Sequence, residues 1–127
     1  MVNGSSQKAS VTWLLFGISG RASRSAYFLG GLFVAVFQLF ALYQFMQTVP
    51  NSPEGDLWSS IFSVILLVSL WINFALNVKR LHDFGKPGIV ALVTFVPIVT
   101  FIAFVAFCII PGDKGPNRYG AITNAPR

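Results

Sequence analysis

Three long apolar stretches run along this chain, each fenced by short polar or charged segments. The first extends from about Ala26 to Val49. The second, Leu57 to Val78, has 22 residues and no charge. The third, about Ile89 to Ile110, lies inside a charge-free interval from Pro87 to Gly112. A helix needs about 20 mostly apolar residues to cross bilayer hydrocarbon. The pattern therefore predicts an all-α integral membrane protein with three transmembrane helices over 26–49, 57–78 and 89–110. Ahead of them, Val11–Ile18 (VTWLLFGI) is too short to span. It reads as a short amphipathic segment in the interface, or equally as a piece packed on the bundle.

Local signals set the ends of these elements. Residues 1–10 are a flexible polar tail, and 11–120 form one membrane domain. Gly17 and Gly20 allow a bend, and Ser23 or Ser25 can cap the first long helix. Tyr27 and Trp58 fall where interfacial aromatics belong. Residues 50–56, PNSPEGD, are a water-exposed turn with two acids and no basic residue. Gly85 can end the second long helix in a left-handed cap and Pro87 can start the next one. Pro97 should kink the third span. The segment from Pro111 to Arg127, PGDKGPNRYGAITNAPR, is rich in Gly and Pro and reads as an irregular C-terminal cap, with 121–127 as its tail. Ala26 with Gly30, and Gly31 with Ala35, have the spacing that lets helices approach closely; packing within the chain is favoured over a dimer contact.

Composition agrees with the pattern. Of 127 residues, 54% are hydrophobic and 10% charged, against about 25% charged in an average soluble domain. Mean hydropathy is +0.68, too high to coat a soluble globule. No cleavage pattern of a signal peptide follows Ile18. The net charge of +5 would raise nucleic acid as a partner in a soluble protein. Here the cations flank apolar spans, which points to orientation and anionic lipid, and no nucleic-acid module accompanies them. The single cysteine, Cys108, cannot form an internal disulfide and reads as a small buried hydrophobe.

Orientation follows from counting cations. Lys8, Arg21 and Arg24 precede the first span, and Lys79, Arg80 and Lys86 lie between the second and third. The amino terminus and the central bend are therefore cytoplasmic and the 50–56 loop is outside, in a bacterial inner membrane. Three full spans put the C-terminus in the periplasm, although it carries Lys114, Arg118 and Arg127. A re-entrant third run, broken at Pro97, would return all nine basic residues to the inside. Re-entrant backbone must be buried in protein, which is difficult in so short a chain, and three spans are the expectation.

The chemistry is concentrated in three charged clusters: FGISGRASRSAYF (16–28), KRLHDFGKPG (79–88) and GPNRYG (115–120). In the second, Lys79 and Asp83 or Arg80 and Asp83 could close an ion pair. His82, the only histidine, is read as stabilising the turn rather than as a proton relay. The third could form an anion-binding nest or simply a rigid cap. On the second span, Asn73, Asn77 and Arg80 share one helical face; they could bond to a neighbouring helix or line a polar path. No P-loop, paired catalytic acids or nucleophile triad occurs, so no enzyme, cofactor or metal site is expected.

The order and spacing of these clusters resemble the bacterial domain of unknown function 805 family, also called YhaH-like, from about Phe16 to Gly120. The matching positions are Gly20, Arg21, Arg24 and Tyr27; Arg80, Leu81, His82, Asp83, Gly85 and Gly88; and Asn117, Arg118, Tyr119 and Gly120. Phe28 and Ile89 stand where family members often have Trp, a departure that weakens interfacial anchoring. The resemblance implies a multipass inner-membrane protein and supplies no activity. Three functions remain open. The first is a structural or regulatory protein that self-associates or binds other membrane proteins. The second is a subunit of an oligomeric channel or small transporter lined by the Asn73/Asn77/Arg80 face. The third, which the motifs make remote, is a holin-type lysis protein.

Overall fold

The structure, a computed structural model, describes residues 10–125. The expected polar tail therefore lies outside the described residues except for Ser10. All regular elements among the described residues are helical: α1 (Val11–Phe16), α2 (Arg24–Met46), α3 (Pro53–Asp83), a 3₁₀ segment (Gly88–Phe95) and α4 (Pro97–Ile109). Among the described residues, α2, with 23 residues, and α3, with 31, are the helices that combine the length and apolar character needed to cross a membrane.

Capping chemistry explains where they start and stop. Ser10 and Ser23 each accept a bond from the backbone N–H three residues on, at Trp13 and Ala26, and so begin α1 and α2. Ser52 does the same for Gly55, with Pro53 in the first turn of α3. Glu54 and Asp56 then sit against the positive end of the helix dipole. For that reason α3 starts four residues before the expected Leu57. At its other end α3 runs to Asp83 and stops at Gly85, whose φ of 73° suits a residue without a side chain.

The two long helices lie antiparallel. Ala22 N–H bonds Lys79 O at 3.1 Å, Gly30 faces Leu76, and Val34 packs with Ile72. Gly31 faces Phe104 of α4, so both glycines of the close-packing pattern meet neighbours in the same chain. The short α1 lies on α3 and sends Leu15 into a core with Tyr27, Val34, Ile72 and Leu76. Trp71 Nε1 donates to Phe16 O at 3.0 Å.

The third apolar run departs from expectation. It is not one helix over 89–110 but two pieces, joined by Val96 in extended conformation (φ −74°, ψ 123°). Pro97 explains the break: its ring excludes the helical conformation at the preceding residue, and it has no N–H to continue the ladder. It serves as the first residue of α4 instead of kinking a longer helix. The Thr100 hydroxyl reaches back to Thr94 O and Val96 O and closes the turn. At 13 residues α4 is only about 20 Å long, short of a bilayer's hydrocarbon core. Both ends of the run lie beside the end of α3: Gly88 against Val78 and His82, and Asp113 N–H bonded to Asp83 O at 2.6 Å. The run is a hairpin, and the C-terminal segment lies at the same end of the α2/α3 pair as Arg21, not at the opposite end.

One polar thread ties the hairpin to both long helices. The Tyr27 hydroxyl of α2 donates to Asn77 Oδ1 of α3 at 2.7 Å. Asn77 Nδ2 donates to Thr94 Oγ1 at 2.9 Å, and Thr94 donates to Ala91 O. Asn77→Leu removes two of these bonds and leaves the Tyr27 hydroxyl without its acceptor. It should lower unfolding stability in detergent by about 0.6–1.7 kcal/mol, read as the shift of a denaturation midpoint. An unchanged midpoint would contradict the thread.

Candidate functional site

Asp83, the last residue of α3, is buried and sits where the chain's three charged clusters converge. Arg21 Nε donates to its Oδ1 at 2.9 Å, and an Arg80 terminal nitrogen donates to its Oδ2 at 2.6 Å. Arg21 and Arg80, from distant parts of the sequence, therefore share one carboxylate. Both guanidinium groups are withdrawn from solvent, with Arg21 2% and Arg80 0% exposed.

Taking two cations out of water costs several kcal/mol each, and one carboxylate cannot offset that alone. Backbone carbonyls supply the remainder. Arg21 donates to Asp113 O (2.7 Å), Gly115 O (2.7 Å) and Gly120 O (3.2 Å). Arg80 donates to Phe107 O (2.7 Å), Ala22 O (3.2 Å) and Ile110 O. The planar five-donor fork of arginine suits such divergent acceptors, and a lysine ammonium does not. Phe107 and Ile110 belong to the last turn and end of α4, where carbonyls have no partner within the helix and carry the negative end of its dipole. Exposed Arg24 adds a bond to Ile109 O at 3.0 Å.

Lys79 does the same for α1. It is fully buried and donates to Gly17 O, just past the end of α1, and to Trp13 O (3.0 Å), which also accepts the Gly17 N–H. Of the two candidate ion pairs, Lys79–Asp83 is therefore not formed and Arg80–Asp83 is. Among the described residues no buried side-chain nitrogen or oxygen lacks a hydrogen-bond partner.

The tail is held by polar and aromatic contacts together. Asn117 Nδ2 donates to His82 O at 2.9 Å, and its backbone pairs with Gly120 in both directions. The Tyr119 ring lies flat on His82, with centroids 4.1 Å apart and planes at 3°. The Arg118 guanidinium covers the outer side of Tyr119 at 4.8 Å. His82 Nδ1 lies 2.9 Å from Gly20 O, a geometry that places the proton on Nδ1. Farther on, Asn124 clasps the start of α2, with its N–H on Arg21 O and its Oδ1 on Ser23 N–H.

The sequence-expected residues thus fall into two groups. Gly20, Arg21, Arg24 and Tyr27 meet Arg80 to Asp83, Gly85 and Gly88, and Asn117 to Gly120 covers them. The proposed polar face does not hold together. Asn77 and Arg80 are buried and bonded to the hairpin, whereas Asn73 is exposed. In the third cluster, where an anion nest or a rigid cap was expected, Arg118 is exposed and lies over Tyr119, whereas Arg21 and Arg80 are saturated by Asp83 and by carbonyls. Gly112 was not singled out in the sequence, yet a Cβ there would overlap the Asp83 carboxylate. Its only signal was its place between the apolar run and Asp113. Among the described residues no group of three or more His, Cys, Asp or Glu could hold a metal.

Asp83→Asn leaves two buried guanidinium groups without their counter-charge. We expect a loss of about 3–5 kcal/mol and release of the 113–125 segment to protease. Gly112→Ala should release the same segment through overlap alone. Retained protection in both variants would contradict the clamp.

Comparison with known proteins gives matches of one kind. The family described as "Protein of unknown function (DUF805)" matches residues 15–121. The Escherichia coli (strain K12) "Inner membrane protein YhaI" is 31% identical over 105 residues, covering 82% of this chain and 83% of that protein. Its counterpart in Escherichia coli O157:H7 matches to the same extent. No solved structure matches.

Proposed function

This chain belongs to the DUF805 family of membrane proteins, and from that membership and the clamp we propose that it works through its membrane-embedded surface. On this reading it is a small structural or regulatory protein that packs against itself or other membrane proteins. The observation that carries the proposal is the saturation of Arg21 and Arg80: the charged motifs are consumed in closing the fold. Apolar surface remains on offer. No residue of α4 is buried, and Ile98, Phe101 and Ile102 are each at least 66% exposed.

The topology proposed with it has two spans, α2 and α3, and one hairpin that enters and leaves on the same side. Of nine basic residues, seven remain once Lys8 and Arg127 are set aside as outside the described region. Those seven lie at the Asp83 end, and the acidic 50–56 loop lies at the other. The positive-inside rule then makes the Asp83 end cytoplasmic, together with the tail. Exposed Arg24, Lys86, Lys114 and Arg118 would face anionic headgroups there.

The conduit reading draws no support from its intended lining, because Asn77 is bonded to Tyr27 and Thr94 and Arg80 is fully buried.

Two measurements test the proposal. A C-terminal reporter active only in the cytoplasm should give signal and one active only in the periplasm should not; the reverse result would restore three spans. Chemical crosslinking in native membranes should trap a discrete adduct containing this chain. A chain recovered only as a monomer, or steady ion flux through reconstituted vesicles, would contradict a packing role.

A further inference from the structure

The hairpin covers only part of one side of the α2/α3 pair. On α3, Asn77 and Arg80 face it, through Thr94 and the end of α4. Asn73 is four residues before Asn77 and seven before Arg80, so it continues the same face one turn farther from Asp83. There the hairpin has already turned back at Val96. Continuing outward at alternating spacings of three and four, the face presents Leu70, Leu66, Ser63 and Ser59, all exposed. That is the spacing of a helix–helix seam. On α2, Gly31 faces Phe104 of the hairpin, and half-buried Gln38 lies seven residues beyond it.

Asn73 and Gln38 thus sit on the hairpin side, within the two long apolar helices, at or beyond the hairpin's turn. Among the described residues neither side chain has a hydrogen-bond partner. An amide in hydrocarbon without a partner is costly. The hairpin adds a second demand. Broken backbone at membrane depth is tolerated where protein covers it, yet Phe95, Val96 and Ile98 around the turn are each at least half exposed.

We propose that a second copy of this chain covers this side, with the Asn73 faces of the two α3 helices meeting about a two-fold axis normal to the membrane. The proposal rests on the packing role above and names its partner and its surface. Such an axis places every residue at the same depth as its equivalent. An amide is both donor and acceptor, so Asn73 can satisfy its own counterpart, whereas a lone cation or acid could not. Exposed Ser59 and Ser63 bring small side chains to the same seam and permit close approach. Their neighbours Leu66 and Leu70 supply the apolar contact, and the partner's helices shield the hairpin turn.

The test uses the full chain in membranes with its cysteine replaced (Cys108→Ser). Asn73→Cys should form a disulfide-linked dimer under mild oxidation. Val64→Cys, exposed and two and a half turns from Asn73, hence on the opposite side of α3, should not. Energy transfer between labelled copies in vesicles should show dimers in the parent protein. With Asn73→Leu, association should be about three- to twentyfold weaker. Dimers that crosslink through Val64 and not Asn73 would overturn this interface and leave self-association standing. Dimers unaffected by Asn73→Leu would overturn the role of the amide. Monomers in every vesicle assay would overturn both the interface and self-association.

Discussion

An apolar run that folds back on itself must find donors for the carbonyls at its ends, and Asp83 is where this protein meets that requirement. The carboxylate holds Arg21 and Arg80 side by side, and those two side chains then bond the carbonyls of α4 and of the tail. Removing either arginine would leave open carbonyls and one carboxylate oxygen without its ion-pair partner. The arrangement therefore joins three distant segments through one acid. The hairpin, the tail and the first turn of α2 meet at that residue, with Tyr27–Asn77–Thr94, Arg24–Ile109 and Asn124–Ser23 as further ties.

The same logic recurs on the opposite flank. Lys79 closes α1 much as Arg80 closes α4, each cation placed on carbonyls at a helix C-terminus. In both cases a short helix too small to span is fastened to the Asp83 end of α3. Cationic side chains buried beside helix C-termini are favoured by the dipole and by the otherwise unmet acceptors. The protein thus uses its ionic residues to build an internal seam. Its outward faces are left apolar apart from a few polar positions, and this division is why an interaction surface fits the molecule better than a ligand site.

Much of this was legible in the sequence, and the exceptions have physical causes. Apolar length identified α2 and α3. Ser23 and Gly85 marked real helix ends, and the three charged clusters were recognisable as a set. The fate of the third run was not decided by its own residues. A proline in a 22-residue apolar stretch is compatible with a kinked span or a broken one, and local propensity does not choose between them. The choice is made by contacts that sequence spacing cannot display, such as Arg21 with Asp83 or Arg80 with Ile110. The surplus of cations in the tail was the one sequence signal pointing the right way. Lys79 makes a related point: a helical i, i+4 pair with Asp83 was available, but carbonyls at the end of α1 hold the ammonium instead.

The most direct measurement is the distance between spin labels at Lys86 and Lys114, which flank the hairpin in the charged bend and the tail. The labels would replace exposed residues on a Cys108→Ser background, in bilayers, diluted with unlabelled protein. A hairpin clamped at Asp83 predicts a separation well below the hydrocarbon thickness of about 30 Å. A separation at or above that thickness would mean that the third run crosses the membrane, and that the clamp does not form.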